Sequence, residues 1–195
     1  QRQMCIRDRT MTTQVDCLEL IGKELGNEDF GLWEMTNGYA LMNQKGLLNI
    51  NAQISGLTPE SREEIKEKLK IGIQWNTQVT ISSTSQVVSQ VYCSALPVSY
   101  SHIDFYYYES FARLILEATY EATLHAALIN LEQTDCNKVF LTLVGGGAFG
   151  NEMNWISDSI KKAVSKFLNA PLDVRIISHG SSNSDVVELI KNVNG

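Results

Sequence analysis

The spacing of apolar positions changes several times along the chain, and each change marks an element. Val15, Leu18, Ile21 and Leu25 recur at three- and four-residue intervals, which predicts a short amphipathic helix from Thr13 to Leu25, stopped by Gly26-Asn27. Residues 30–43 carry Phe30, Leu32 and Trp33, then Asn37-Gly38 and the apolar run Tyr39 to Met42, the pattern of a turn followed by a strand or extended segment. A second short helix is expected from Leu47 to Leu57. Thr58-Pro59-Glu60 then supplies an N-cap, a proline at the first helical position and an acid in the first turn. The helix they open is predicted to run to Lys70 and, having few apolar positions, to lie on the surface.

From Ile71 the pattern alternates. Ile71, Ile73, Trp75, Thr77, Val79 and Ile81 predict one strand and Val87 to Tyr92 a second, joined by a turn over Ser82–Gln86. Neither Gly nor Pro interrupts the stretch from Tyr106 to Leu131, where Phe111, Leu114, Ile115, Ala118, Ala122, Ala126 and Ile129 mark one face of a long helix. A continuous apolar strand, Lys138 to Val144, follows. It leads into the loop Gly145-Gly146-Gly147-Ala148-Phe149-Gly150 and a helix from Asn151 to Leu168. The order then repeats, with a strand from Leu172 to Ser178, a polar turn over 179–184 and a terminal helix from Ser184-Asp185. Apolar strands alternating with helices predict an α/β fold of three αβα layers around a mostly parallel, mixed sheet buried on both faces.

Composition narrows the class. With 44% hydrophobic and 19% charged residues in 195, the chain is neither disordered nor fibrous, and no apolar run reaches the ~18 residues of a membrane span. A net charge of −6 argues against a broad grip on nucleic acid or on anionic lipid. Cys5, Cys17, Cys93 and Cys136 are too far apart for a CxxC motif, a zinc finger or a compact disulfide framework. They read as reduced structural thiols, consistent with a cytoplasmic setting. His102, His125 and His179 contain no pair within one helical turn, so no metal site is expected; no cofactor is assigned. The opening stretch Gln1 to Arg9 is unlike the acidic, periodic sequence after it. Residues 1–10 are read as a non-native leader and 11–195 as a single α/β domain truncated at its amino end.

The glycine loop carries the sharpest chemistry. Gly145, Gly147 and Gly150 satisfy G-x-G-x-x-G between an apolar strand and a helix. Without side chains, the backbone of Gly145, Gly146, Gly147, Ala148, Phe149, Gly150 and Asn151 can approach a phosphate, with the helix dipole behind it. A dinucleotide-binding Rossmann site would also need an acid about 20 residues on, at the end of the next strand. That strand ends in Ser178-His179-Gly180, and its acid, Asp173, is at the other end. The plainer alternative is that the glycines only permit positive φ in a tight turn. Phe149 either covers a ribose or base or belongs to the core.

Three further groups qualify. Arg113, Glu117, Glu121 and His125 follow one another at intervals of four on the long helix. They form either a solvated stripe of Arg113–Glu117 and Glu121–His125 pairs or, if the stripe faces a cleft, a site with Glu121 as general base. Ser94 and Tyr100 follow a strand end and are candidates to share a rim with the glycine loop. Cys93 reads as a buried thiol. Asn154, in the first turn after the loop, is placed to cap the helix or touch a ligand.

The run Val139 to Asn151, with Trp155-Ile156 after it and Ala118 to Leu124 before it, resembles the carboxyl half of a macrodomain. Gly38 to Ala40, Ile71 to Thr80 and Gln90 to Tyr100 resemble a group of uncharacterised conserved proteins about twice this length. The macrodomain resemblance implies a loop that wraps the diphosphate of ADP-ribose. The N-A-A-N-like first phosphate loop and the paired-glutamate signature of the glycohydrolases have no counterpart here. The expectation is a module binding a nucleotide diphosphate of the ADP-ribose type, with hydrolysis unassigned. The alternative is a non-catalytic interaction module.

Overall fold

The computed structural model describes residues 16–81, 85–93, 95–177 and 184–194. Helix α1 (Glu19–Leu25) ends where Gly26 turns left-handed at φ 79°. The side chain of Asn27 then shapes the entry to the next strand. Its Oδ1 accepts from the amides of Leu32 (2.9 Å) and Trp33 (3.1 Å), and its Nδ2 donates to the Trp33 carbonyl.

Strands β1 (Trp33–Thr36) and β2 (Tyr39–Met42) form an antiparallel hairpin. Its turn is the one Asn37-Gly38 favours, with φ of 52° and 84° at the two central residues. Helix α2 (Gln44–Ser55) starts at Asn43, whose side chain accepts from the Gly46 amide at 2.7 Å. Helix α3 (Pro59–Lys66) is capped by Thr58, which accepts from the Ser61 amide at 3.2 Å.

Helix α3 stops at Lys66, short of Lys70, because the chain peels away to let the Lys70 amide meet the Cys17 carbonyl at 3.1 Å. Nor is α3 a purely surface helix, since Ile65 and Lys66 are both buried. Strands β3 (Gly72–Gln78) and β4 (Val87–Tyr92) pair antiparallel, with an irregularity between Gln74 and Thr77.

Helix α4 (Glu109–Thr134) is the spine. It packs along α5 (Met153–Lys166) and carries much of the core, including Phe111, Leu114, Ile115 and Tyr120. The Phe111 ring lies 5.5 Å from that of Trp33, tying the spine to the amino-terminal hairpin. Strands β5 (Lys138–Leu141) and β6 (Asp173–Ile176) run parallel on either side of α5 in sequence, a β–α–β unit, and α6 (Ser184–Asn194) closes the described chain.

The fold is therefore mixed α/β, but the strands do not merge into one broad parallel sheet. Among the described residues they form three two-stranded sheets, of which only β5–β6 is parallel. Nor is β5 buried on both faces: Val139 and Leu141 are buried, while Lys138 and Phe140 are exposed. The apolar run from Val139 to Val144 hid this alternation because Phe140 and Leu143 are apolar as well. No residue of β3 or β4 is fully buried. The turns over 82–84 and 179–183 lie outside the described residues.

Candidate functional site

Strand β5 ends early because a side chain takes over its hydrogen bonding. The Tyr120 hydroxyl donates to the Thr142 carbonyl at 3.0 Å and accepts from the Val144 amide at 3.1 Å. Tyr120 is 1% exposed, and burial pushes its pKa up, so the hydroxyl keeps its proton and can serve both bonds. The chain is thus bent out of the sheet just before the first glycine.

Inside the loop, the Gly146 amide donates to Leu143, that of Gly150 to Gly147, and that of Asn151 back to Gly145 at 2.9 Å. Those three amides are therefore not available to a ligand, contrary to the expectation that all of 145–151 would be. Among the described residues, the amides of Gly147, Ala148 and Phe149 have no acceptor.

The glycines are not equivalent. Gly145 and Gly150 have φ of 80° and 69°, and a Cβ at either would collide with Ala95 and Asn151 or with Ser99. Packing and backbone conformation account for both. A Cβ on Gly146 would come 3.1 Å from Ile156 Cδ1, a tight but yielding contact. Gly147 has nothing within 4 Å of the position its Cβ would take, and its φ is not positive.

A second segment flanks the loop. The Ser99 amide donates to the Phe149 carbonyl at 3.0 Å. Asn151, 5% exposed, sends its Nδ2 to the Leu96 carbonyl at 2.8 Å and leaves its Oδ1 buried without a donor. Asn151 thus clamps the two segments together and does not face outward. Asn154 is exposed, and its Oδ1 accepts from the Trp155 amide at 2.9 Å, a local bond at the start of α5.

Tyr100, at the end of the short 3-10 turn Val98–Tyr100, does meet the loop. Its ring lies 5.5 Å from that of Phe149, and both contact Tyr39, at 5.1 Å and 5.8 Å, all edge to face. Tyr39 is the member that the site assignment from sequence missed; its signals were a position directly after the Asn37-Gly38 turn and a place in the Gly38–Ala40 segment. Tyr39 and Tyr100 remain 37% and 46% exposed. Ser94 lies outside the described residues.

Glu121 belongs elsewhere. Its carboxylate bonds Lys66 at 2.7 Å and Lys166 at 2.9 Å. Glu117, 3% exposed, takes Arg62 at 3.0 Å and Lys162 at 2.8 Å. Glu63 joins through Lys66 and Lys166. The stripe is therefore not the row of solvated Arg113–Glu117 and Glu121–His125 pairs, nor part of the loop site: His125 is exposed, while the carboxylates stitch α3, α4 and α5 together. Arg113 pairs with Glu109 and Asp158, not with Glu117. His125 packs edge-on against Phe167, 4.9 Å away.

Beside this network, a groove of about 600 Å³ runs between α4 and β3, lined by Glu121, Ala122, His125 and Ala126 among others and by no residue of the glycine loop. Burial pushes the thiols of Cys17 and Cys93 up from their ordinary pKa, which suits structural cysteines and not nucleophiles. Among the described residues no helix is long and apolar enough to cross a membrane. No protein-family model matches the chain, and no curated protein or solved structure is found to be similar to it.

Proposed function

We propose that the loop from Gly147 to Phe149, with Tyr39 and Tyr100 beside it, binds a nucleotide diphosphate of the ADP-ribose type. Gly147 carries this reading. Neither packing nor backbone conformation calls for a glycine there, and it opens a run of three amides without internal acceptors. Such amides are complementary to phosphate oxygens. The loop also stands at the carboxyl end of β5 and leads into α5, the position where open α/β units take their ligands.

On this reading β5, α5 and β6 are one unit of a macrodomain-like three-layer fold, and the protein works in the cytoplasm. No residue is assigned to catalysis, since Glu121 is held by two lysines in the interhelical network. The second reading, a non-catalytic interaction module, draws on Gly145 and Gly150, which packing and positive φ account for without a ligand.

Thermal-shift and calorimetric titration with ADP-ribose, with AMP and NAD as controls, separates the two. Saturable binding that Gly147→Glu abolishes while the variant still unfolds cooperatively is the expected result. No binding by the folded wild-type protein would leave the loop as a turn.

A further inference from the structure

Three chain segments far apart in sequence each contribute one ring to the surface beside the unpaired amides. Tyr39 comes from the β1–β2 hairpin, Tyr100 from the 3-10 turn and Phe149 from the loop itself. The two tyrosines keep about the exposure of partly open aromatic faces, 37% and 46%. Their contact distances of 5.1 to 5.8 Å leave no slot between them. A planar group would therefore stack on the outer surface of the cluster and would not insert into it.

Stacking of this kind is tolerant of base identity, because every nucleobase presents a π face. Reading a base needs donors and acceptors aimed at its edge, and the cluster itself offers only ring faces, ring edges and two hydroxyls. We infer that Tyr39, Tyr100 and Phe149 form an aromatic platform that makes the site select for nucleoside diphosphates over bare diphosphate, without distinguishing the base. The inference rests on the diphosphate reading of the loop, and it adds a ring requirement with base indifference.

The test is calorimetric titration of the full chain with ADP, GDP, UDP and inorganic pyrophosphate. The three nucleotides should bind within about tenfold of one another, and each about tenfold or more tighter than pyrophosphate. Tyr39→Ala should remove most of that advantage and leave pyrophosphate affinity unchanged, while Tyr39→Phe should restore it. Tyr100→Leu, at a site outside the hairpin, serves the same purpose if Tyr39→Ala fails to fold.

Pyrophosphate binding as tightly as ADP would overturn the platform and leave the loop reading standing. Tight binding of one nucleotide and rejection of the other two would overturn base indifference. A folded protein that binds none of the four would overturn the loop reading, and the platform with it.

Discussion

Gly150 packs so closely on Ser99 that a Cβ added to the glycine would stand 1.8 Å from the Ser99 Oγ. Its φ of 69° adds a backbone penalty of about 1–2 kcal/mol for any other residue. Gly150→Ala should therefore destabilise by at least that amount in chemical denaturation. Gly147→Ala, into open space and without positive φ, should change stability by less than about 1 kcal/mol, in the stabilising direction if at all. Equal losses at the two positions would remove the distinction on which the proposed function rests.

Glu117 and Glu121 should behave as structural residues. Glu117→Ala strips a buried carboxylate from Arg62 and Lys162, both of which reach solvent, and the loss of these charge-assisted hydrogen bonds costs about 1–3 kcal/mol. Glu121→Gln should lower the melting temperature and, under the proposed function, leave ADP-ribose affinity as in the wild type. Weakened affinity in a fully folded Glu121→Gln protein would return that carboxylate to the binding site.

Acid should loosen the same network. Partial burial disfavours the charged form of Glu63, but hydrogen bonds from Lys166 and Lys66 outweigh it and hold the carboxyl below its usual pKa. A group depressed in this way contributes stability above its unfolded value, about 4.3, and loses it as pH falls through the folded value. Lys166 is opposed by burial yet raised by its bonds to Glu63 and Glu121. Its contribution persists below the unfolded lysine value, about 10.4, and fades as pH rises through the folded one. The melting temperature should be flat near neutrality and drop below about pH 4. In Glu63→Gln that acid drop should be shallower; an unchanged pH profile would contradict the assignment.

Tyr120→Phe removes one hydroxyl and leaves two backbone groups, the Thr142 carbonyl and the Val144 amide, without it. The expected loss is about 1–3 kcal/mol. Hydrogen exchange should show the larger change at Val144 and in the glycine loop, with the middle of α4 still protected. Uniform loss of protection would mean that the hydroxyl supports the whole core and not the bend in particular.

Elements with strong local signals were legible in the sequence. The Asn37-Gly38 turn, the Thr58-Pro59 helix start, the uninterrupted α4 and the glycine loop between β5 and α5 all stand where spacing and turn chemistry put them. Features that depend on distant partners were not. Arg62 and Lys162 sit 55 and 45 residues from Glu117, so spacing on α4 alone suggested pairs that do not form. Gly46, just before the predicted start of α2 and inside the observed helix, gave no hint that its missing Cβ makes room for the Leu32 carbonyl, which a Cβ there would approach to 2.2 Å. The site was half legible. The loop and Tyr100 were visible as a strand-end rim, whereas Tyr39 and the inward role of Asn151 emerge only when the hairpin and the 95–100 segment fold onto the loop.

The clamp between Asn151 and Leu96 has a bearing on the order in which the protein folds. It joins positions 55 residues apart, and the ring contact from Tyr39 to Phe149 closes a longer span still. Closing loops of that length costs more chain entropy than forming contacts between near neighbours, which favours local structure first. Helix α4, built from short-range contacts, can form early, while the glycine loop reaches its final shape only when the hairpin and the 95–100 segment have docked. During refolding, protection of the Val144 and Asn151 amides should be among the last signals to appear, later than the helical signal of the spine.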